Sequence, residues 1–436
     1  MIPGHPALAG WSWQEAGQVL VPVPPAVRAA TRVAGATVAS PVASPSVEPP
    51  PAWDSEQQGA LEAALAADPA SAASFDLALR LLRQPGSAAL RDLADQRRRA
   101  LAGETVTYVV NRNLNVSNHC VKHCSFCAFR RDPGQDGAYW HGRDSLQQRA
   151  AEAQAAGATE LCIQGGLNPA ARLAGSALAY HVQLLRDLAA AAPGVHLHAF
   201  SPQELLFIAE QDGCSLAHVL EQLQAAGLGS VPGTAAEVLS EPLRQRLCPE
   251  KLTARQWCAV ILEVHAAGLA STATLLAGHI ETPADRAAHL LTLVALQQRA
   301  WHHRRSGFSE FVLLPFIAAG APAVLRQRVG RDQPDLQAML TLSAQARLLL
   351  GRWFRNHQPS WVKLTLAGAT EALRWGCNDL GGTLMEETIT RMAGATGGVA
   401  QTPQALEAAA ASLGRPVRQR TTLYGEPPSC LSLIHI

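Results

Sequence analysis

Short apolar segments alternate with longer segments of helical periodicity over most of this 436-residue chain. Eight segments have the length and composition of buried strands, and they span residues 105–114, 159–164, 195–200, 228–233, 271–276, 310–316, 361–366 and 377–382. The main segments between them predict helices over residues 144–156, 176–191, 203–226, 253–267, 284–300 and 335–354. Eight strands separated by helices predict an α/β fold, a (β/α)8 barrel of the TIM type, with an open doubly wound sheet as the alternative.

Three further segments lie outside the predicted barrel, which spans residues 105–424. Residues 1–52 are rich in Pro, Ala and Val, and proline at this density interrupts helices and sheets, so we predict a flexible leader, with a transit peptide as the alternative. Residues 53–104 repeat leucines at helical spacing and predict an N-terminal helical extension. Residues 425–436 end in LSLIHI, which is compatible with translated vector DNA, and the fold prediction leaves them out.

The composition describes a chain that can bury a large core and that carries almost no net charge. Hydrophobic residues make up 48% and charged residues 16%, and the net charge of +1 argues against a broad basic surface for nucleic acid. The chain has no run of about 18 apolar residues and no secretory signal, so we predict no membrane span and a cytoplasmic location. Nine cysteines are too few for a disulfide scaffold, and in a reducing compartment clustered cysteines more often bind metal.

Three of the nine cysteines stand within eight residues, directly after the first predicted strand. Cys120, Cys124 and Cys127 form the pattern C-x3-C-x2-C. Polar loops also follow the second, third, fourth, fifth and eighth strands. In a barrel the C-terminal ends of the strands meet on one face, where such folds carry their catalytic sites. The sequence therefore predicts that the cysteine cluster lies in an active site.

Two kinds of metal site agree with this cysteine pattern. The first is a structural zinc site, in which His119, His123 or His141 would supply a fourth ligand. The second is a 4Fe–4S cluster that is held by three thiolates, so that one iron stays open to a substrate or cofactor. An open iron is a reaction site, whereas a saturated cluster mostly transfers electrons. We favour the cluster because zinc sites usually pair two ligand couples at a longer separation.

The sequence around the cysteines resembles a known family. The motif C-x3-C-x2-C with an aromatic residue, Phe126, before its last cysteine resembles the signature of the radical S-adenosylmethionine (SAM) superfamily. Longer motifs resemble the second component of FO (deazaflavin) synthase, the CofH family, and they read ELCIQGGLNP, HLHAFSPQE, LGSVPGTAAEVL, GHIETP, SWVKL and NDLGGTLMEETITRMAG. This resemblance covers residues 75–424. One departure is Ala277, where that family is expected to have an aromatic residue.

The resemblance implies a transferase that uses a 4Fe–4S cluster and S-adenosyl-L-methionine. In such enzymes an electron from the cluster cleaves SAM, and the adenosyl radical abstracts hydrogen from the substrate. The resemblance further implies transfer of the 4-hydroxybenzyl fragment of L-tyrosine to 5-amino-6-(D-ribitylamino)uracil. The implied partners are a companion radical SAM component of FO synthase (CofG-like) and a reductant such as ferredoxin or flavodoxin. Two alternatives stay open: another radical SAM enzyme, from the menaquinone (futalosine) pathway, and a zinc-stabilised module without catalysis.

The resemblance also assigns roles to residues in the loops after the strands. Cys120, Cys124 and Cys127 would bind the cluster. The residues implied in SAM binding are Phe126, Gln164, Gly165, Gly166, Ser201 and Glu237. The residues implied in catalysis, by holding the amino-acid substrate or moving protons, are His279, Glu281, Asn378 and Glu386. Ser201 has an alternative role as a helix N-cap, because Pro follows it directly and Glu stands three residues on.

Overall fold

The computed structural model describes residues 4–28 and 52–427. Its strands, each parallel to its neighbours, are β1 (Val106–Val109), β2 (Asn111–Asn115), β3 (Glu160–Gln164), β4 (His196–Ala199), β5 (Leu228–Val231), β6 (Ala270–Ala277), β7 (Phe308–Pro315), β8 (His357–Pro359), β9 (Asp379–Gly382) and β10 (Val417–Gln419). Strands β2 to β8 form one seven-stranded sheet in chain order, and β10, β1 and β9 form a smaller sheet with β1 in the middle.

Helices connect the strands and surround them. They are α1 (Gly10–Val19), α2 (Ser55–Ala67), α3 (Ala72–Leu82), α4 (Ala88–Ala102), α5 (Arg143–Ala155), α6 (Ala177–Ala191), α7 (Pro202–Asp212), α8 (Leu216–Ala225), α9 (Glu241–Leu247), α10 (Ala254–Ala266), α11 (Pro283–His302), α12 (Ala323–Val329), α13 (Leu336–Leu350), α14 (Trp361–Ala372), α15 (Ile389–Met392) and α16 (Pro403–Ala411). Ser176, Thr253 and Thr282 begin α6, α10 and α11 by accepting a backbone N–H bond on their side chains, which satisfies a donor that the first turn leaves free. Within the described ranges, no helix combines the length and the apolar character that a membrane span needs.

The ring of strands closes through β9. The Asn378 N–H, just before β9, donates to the carbonyl of His357 in β8 at 3.1 Å. The Asn113 N–H of β2 donates to the carbonyl of Leu384, just after β9, at 2.9 Å. Because β9 bridges the two edge strands of the larger sheet, it occupies the eighth position of the barrel. The predicted α/β barrel is confirmed, and its eighth predicted strand, 377–382, contains β9.

The chain after β10 closes the barrel at the N-terminal ends of its strands. Arg420 is 2% exposed, and its guanidinium donates to Asp379 at 2.5 Å and to Glu310 at 3.1 Å. The Tyr424 hydroxyl also donates to Glu310, and the Arg420 guanidinium lies 4.0 Å from the centre of the Tyr424 ring. Each buried charge therefore has an opposite charge or a hydrogen-bond donor beside it, which offsets its loss of hydration.

Three predicted elements differ from the structure. The predicted strand 105–114 is two strands, β1 and β2, which belong to different sheets. The predicted helix 203–226 is two helices, because Gly213 adopts a left-handed conformation (φ 62°) that ends α7. The predicted strand 361–366 is wrong: this segment begins α14, and β8 is the barrel strand that precedes it. Its apolar spacing suits either structure, so periodicity alone misled the assignment.

The prediction of a flexible leader is wrong for residues 4–28, which the structure describes. Helix α1 packs against α10, where Arg255 donates to the Trp13 carbonyl at 2.8 Å and stacks 4.3 Å from the Trp13 ring centre. Glu263 of α10 accepts the Ala9 N–H at 2.8 Å at the start of α1. Residues 1–3 and 29–51 of the predicted leader, and residues 428–436 of the predicted tail, lie outside the described residues.

The predicted helical extension packs on the outside of the barrel helices. It consists of α2, α3 and α4. Gln58 of α2 donates to the carbonyl of Leu348 in α13 at 3.0 Å, and Gln298 of α11 donates to the carbonyl of Leu65 in α2 at 2.6 Å. These bonds fix the extension over α11 and α13, on the far side of these helices from the strands.

Candidate active site

A cavity of about 430 Å³ lies inside the barrel, which is a size that suits small-molecule ligands. Nine of the thirteen predicted site residues line it, namely Cys120, Cys124, Phe126, Cys127, Gln164, Gly165, Gly166, Ser201 and Glu237. They come from the loops after β2, β3, β4 and β5, at the C-terminal ends of these strands. The structure therefore brings together all residues predicted for the cluster and for SAM.

The loop that carries the cysteines is docked on the segment after α9. The Ser125 hydroxyl donates to the Leu247 carbonyl at 2.6 Å, and the His123 N–H donates to the Glu250 carboxylate at 2.7 Å. The Cys127 N–H donates to the Cys124 carbonyl at 3.1 Å and forms a turn between the two residues. All three cysteines of the motif are free thiols. Their sulfur atoms remain available as ligands.

Gly166 allows the loop after β3 to approach the cysteine loop closely. A Cβ atom at this position would overlap the His119 carbonyl oxygen and would stand 3.0 Å from the Cβ of Cys120. The Gly166 N–H donates to the Ser117 carbonyl at 2.7 Å. The neighbouring Gly165 N–H donates to the Glu204 carboxylate at 2.9 Å. The two glycines therefore position the cysteine loop as well as line the cavity.

Ser201 is the N-cap of α7, as the alternative interpretation predicts. Its side chain accepts the Glu204 N–H at 3.3 Å, while the Glu204 carboxylate accepts the Ser201 N–H at 2.7 Å and its hydroxyl at 2.6 Å. Burial raises the pKa of Glu204, although these bonds oppose the shift. Ser201 also lines the cavity, so its two predicted roles are compatible in space.

Glu237 forms an ion pair with Lys251 beside the cysteine loop, with 2.5 Å between the two groups. Burial alone would raise the pKa of Glu237, but the Lys251 ammonium holds that pKa below its ordinary value. Burial opposes a charge on Lys251 as well, yet the Glu237 carboxylate raises the lysine pKa. Both groups therefore stay charged at neutral pH. The Lys251 ammonium also lies 5.4 Å from the centre of the Phe126 ring.

Cys124 is the most buried of the three cysteines, at 9% exposure. Burial raises the pKa of its thiol to about 12, although the Lys251 ammonium opposes this shift. It belongs to a small apolar cluster with Leu247, Leu276 and Phe316. The cysteine loop is thus packed against apolar side chains on one side and lines the cavity on the other.

His279 and Glu281, which were predicted to be catalytic, stabilise a turn and are not among the side chains that line the cavity. Their side chains are 0% and 1% exposed. Glu281 accepts the Gly278 and His279 N–H groups at 2.6 and 2.9 Å and forms an ion pair with Arg286 at 2.6 Å. The His279 ring contacts the Leu276 carbonyl at 3.1 Å. All these bonds hold the turn between β6 and α11.

Asn378 and Glu386, which were also predicted to be catalytic, likewise have partners away from the cavity lining. Asn378 precedes β9 and so stands at the opposite end of the barrel, where its side-chain oxygen accepts from Arg347 at 2.8 Å and from the His357 N–H at 2.9 Å. Glu386 forms ion pairs with Arg149 at 3.0 Å and with Arg112 at 3.3 Å. Of the two adjacent glutamates, Glu387 lines the cavity and Glu386 does not.

The histidines that were candidates for a zinc ligand do not line the cavity. The His123 ring lies 3.5 Å from Asp132, and the centre of the His141 ring lies 4.7 Å from that of the Tyr139 ring, with the two rings tilted by 38°. In the part of the chain that the structure describes, no three His, Cys, Asp or Glu side chains already stand in a metal-binding arrangement. What the cavity offers is three free thiols from one loop, a donor set that suits an iron–sulfur cluster better than a closed zinc site.

Sequence reasoning missed all three lysines and several carboxylates that line the cavity, among them Lys251, Lys363 and Glu387. The sequence does contain a pattern that could have found the lysines. The chain has only three lysines but thirty-three arginines, and all three lysines, including Lys122 in the cysteine loop, line the cavity. Glu387 has no such pattern, because the loop conformation decides which of two adjacent glutamates faces inward.

Comparison with known proteins identifies the family. The chain matches the radical SAM superfamily over residues 114–293. A protein of Cyanothece sp. named 5-amino-6-(D-ribitylamino)uracil--L-tyrosine 4-hydroxyphenyl transferase is 55% identical over 337 residues, which are 77% of this chain and 88% of that protein. A protein of Synechococcus elongatus with the same name is 56% identical over 357 residues, which are 82% of this chain and 91% of that protein.

Solved structures of other proteins show a similar fold. Methylornithine synthase (PylB) matches with a TM-score of 0.58 at 13% identity and covers 82% of this chain and 97% of its own. The FeFe-hydrogenase maturase HydG from Carboxydothermus hydrogenoformans matches with a TM-score of 0.60 at 12% identity and covers 85% of this chain and 81% of its own. Identity this low supports the fold alone, whereas the identity to the two named transferases extends over most of both chains. This chain therefore belongs to the radical SAM family of 5-amino-6-(D-ribitylamino)uracil–L-tyrosine 4-hydroxyphenyl transferases.

Proposed function

We propose that this chain transfers the 4-hydroxybenzyl fragment of L-tyrosine to 5-amino-6-(D-ribitylamino)uracil, a step in the synthesis of the deazaflavin FO. The observation that carries this proposal is the 55–56% identity to transferases named for these two substrates, over most of both chains. The names of these relatives give no support to the alternative enzyme of the menaquinone pathway. The position of the cavity inside the barrel suits this chemistry, because a radical reaction needs a site that excludes water.

Membership of the radical SAM superfamily implies a 4Fe–4S cluster and SAM. We infer that Cys120, Cys124 and Cys127 hold the cluster, since their free thiols line one cavity and come from one loop. When it is bound and reduced, the cluster supplies the electron that cleaves SAM. The residues around the cysteines fix the position of their loop. Gly166 allows the cysteine loop and the β3 loop to approach closely, and Cys124 packs against apolar side chains.

We assign SAM to the side of the cavity formed by the loops after β2 to β5. Phe126 offers an aromatic face there, and Gln164 and Ser201 offer polar atoms. The ion pair of Glu237 and Lys251 keeps two charges in place at this side without exposing an unpaired charge. A companion radical SAM component would complete the deazaflavin ring, and a reductant such as ferredoxin or flavodoxin would supply the electron.

Isotopic labelling tests the proposed reaction directly. The protein is reconstituted with iron and sulfide without oxygen and incubated with SAM, a reductant, the ribityl-uracil substrate and tyrosine labelled with ¹³C in the ring and at Cβ. We expect the coupled product in the mass spectrum to contain the ring and Cβ labels, while tyrosine labelled only at Cα gives an unlabelled coupled product. The absence of any coupled product, together with turnover of a futalosine-type substrate, would contradict the proposal.

A further inference from the structure

The three lysines of this chain reach the same cavity from different positions in the ring of strands. Lys122 lies in the cysteine loop after β2, and Lys251 pairs with Glu237 at the loop after β5. Lys363 lies in the first turn of α14, after β8, which is four positions round the ring from β4. Of the arginines in residues 4–28 and 52–427, only two line the cavity. The compact ammonium group of Lys363 therefore stands on the cavity wall opposite β4, which belongs to the proposed SAM side.

The ammonium of Lys363 is available for a ligand. Among the described residues, no hydrogen bond or ion pair engages it, although the side chain lines the cavity. Burial lowers the pKa of Lys363, and the nearby carboxylates of Glu387 and Glu237 oppose this shift. A poorly hydrated cation without a bonded partner is unfavourable, and an anionic ligand would compensate for the lost hydration.

Glu387 lines the same wall, in the loop after β9. Its carboxylate accepts the Thr390 N–H at 2.7 Å and also accepts hydrogen bonds from the Thr390 hydroxyl and the Arg391 N–H. Because a carboxylate accepts up to about four hydrogen bonds, it has room for one further donor. Burial raises the pKa of Glu387, while the Thr390 N–H and the Lys363 charge lower it. Lys363 and Glu387 thus influence each other electrostatically, yet they form no ion pair with each other.

We propose that Lys363 and Glu387 bind the α-amino acid substrate, with the Lys363 ammonium on its carboxylate and the Glu387 carboxylate on its amino group. The Lys363 ammonium and the Glu387 carboxylate line one cavity and do not pair with each other. Their charges are complementary to the carboxylate and the ammonium group of an α-amino acid. The inference rests on the proposed function, in which this amino acid is L-tyrosine. Fixing both groups orients the Cα–Cβ bond that the proposed transfer breaks.

SAM carries the same two charged groups, and the order of the strands decides between the two ligands. The cysteine loop, Ser201 and Glu237 follow β2, β4 and β5. Lys363 follows β8, which lies opposite β4 in the ring of eight strands, whereas Glu387 follows β9, which stands between β8 and β2. The amino-acid end of SAM must lie beside the cysteines if it is to reach the cluster. The position of Lys363, opposite the strand that carries Ser201, therefore suits the second amino acid, the substrate.

Equilibrium binding to the SAM-loaded holoenzyme, without reductant so that nothing turns over, tests the assignment with three ligands. They are L-tyrosine, tyramine, which lacks the carboxylate, and 3-(4-hydroxyphenyl)propionate, which lacks the amino group. We expect Lys363→Met to weaken tyrosine binding by about ten- to a hundredfold and to bind tyrosine and tyramine equally. We expect Glu387→Gln to bind tyrosine no more tightly than 3-(4-hydroxyphenyl)propionate, because the partner of the amino group is lost. The same variant should still bind tyrosine more tightly than tyramine, because Lys363 still binds the carboxylate.

The control is Arg374→Met, which removes a positive charge from a 56% exposed side chain just after α14 and should bind tyrosine like the parent. Unchanged preference for tyrosine over tyramine in Lys363→Met would overturn the inference, as would equal weakening of all three ligands. Loss of SAM binding in Lys363→Met with tyrosine binding retained would assign the site to SAM instead. A parent enzyme that binds no tyrosine would overturn the proposed function itself, which separates the two failures.

Discussion

The polar residues considered for the active site fall into two groups: in one the side chain is already hydrogen-bonded to other protein groups, and in the other it has no such partner among the described residues. The Glu281 side chain is bonded to backbone N–H groups and to Arg286 and stabilises a turn. The Asn378 side chain is bonded to Arg347, Asn356 and the His357 N–H, at the opposite end of the barrel. Lys363 lines the cavity with an ammonium that no described residue binds. This distinction separates structural from ligand-binding side chains, and it depends on three-dimensional contacts that a single sequence does not contain.

The adjacent glutamates show why residue roles are harder to predict than motifs. Glu386 and Glu387 stand side by side in the sequence, but one pairs with Arg149 and the other lines the cavity. The two residues before them, Leu384 and Met385, have positive φ angles of 60° and 51°. This uncommon backbone turns the loop so that Glu387 faces inward. The motif could be found from the sequence, whereas the orientation of its residues could not.

Cys124→Ala tests the cluster assignment at a single sulfur atom. Because three thiols are needed to hold the cluster with one open iron, we expect the variant to form no 5′-deoxyadenosine from SAM while its circular dichroism stays like that of the parent. Cys214→Ala is the matched control, since Cys214 is a free thiol between α7 and α8 that does not line the cavity. Cleavage of SAM by the Cys124 variant would contradict the assignment.

Gly166→Ala tests whether the close approach of two loops is needed for the cluster. The added Cβ would overlap the His119 carbonyl oxygen, so the cysteine loop must move away. We expect a loss of about 1–3 kcal/mol in the free energy of unfolding and a lower iron and sulfide content after reconstitution. The control is Gly142→Ala, whose Cβ would meet no atom within 4 Å. Full iron content in the Gly166 variant would show that the approach has no role in cluster binding.

At the scale of helices and strands, periodicity predicted most elements of the barrel. It worked for β3, β4, β6 and β7 because these strands are apolar and lie between clear helical segments. It failed for residues 361–366, where the same apolar spacing suits a strand or the first turns of a helix. Only the pairing of β8 with β7 decides that the strand lies earlier in the chain.

The N-terminal helix α1 was not predicted because its anchors lie far away in sequence. It lies within the Pro-, Ala- and Val-rich segment 1–52 that predicted a flexible leader, yet Arg255 and Glu263 of α10 bind its backbone, more than 240 residues away. The Val21 N–H also donates to the Thr292 hydroxyl of α11 at 3.0 Å. Tertiary contacts therefore stabilise this segment in a way that local sequence does not show.

Arg255→Ala tests the attachment of α1. The substitution removes two hydrogen bonds to the Trp13 carbonyl and the stacking of the guanidinium on the Trp13 ring. We expect amide hydrogen exchange in residues 10–19 to become about tenfold faster, while exchange in β3 stays unchanged. Arg328→Ala, at an exposed position of α12, should leave both regions unchanged. Parent-like protection of residues 10–19 in the Arg255 variant would show that other contacts suffice.

For the molecule as a whole, buried histidines make stability depend on pH. Burial lowers the pKa of His265 to about 3, and the nearby Arg305 charge adds to this shift. Its ring is 1% exposed and contacts the Ser271 hydroxyl at 2.9 Å. The unfolded chain therefore binds a proton at this histidine below about pH 6.5, where the folded protein does not. The stability that neutral His265 contributes is present above that pH and decreases as the pH falls.

His265→Gln isolates this effect, because glutamine does not titrate. We expect the variant to be less stable than the parent at pH 7.5 and the difference in unfolding free energy to shrink by about 1–1.5 kcal/mol at pH 5.5. Denaturant unfolding at both pH values measures the change. A difference for His265→Gln that does not change with pH would contradict the expectation.

The distribution of lysines also determines how the protein reacts with amine-selective reagents. Because Lys122, Lys251 and Lys363 all line the cavity, no lysine side chain is present elsewhere in the chain to be acylated or cross-linked. Apart from the α-amino group of the first residue, every primary amine of the polypeptide belongs to the cavity. Limited acylation with a small activated ester would therefore report how much of the cavity is filled by ligand, without labelling a surface lysine.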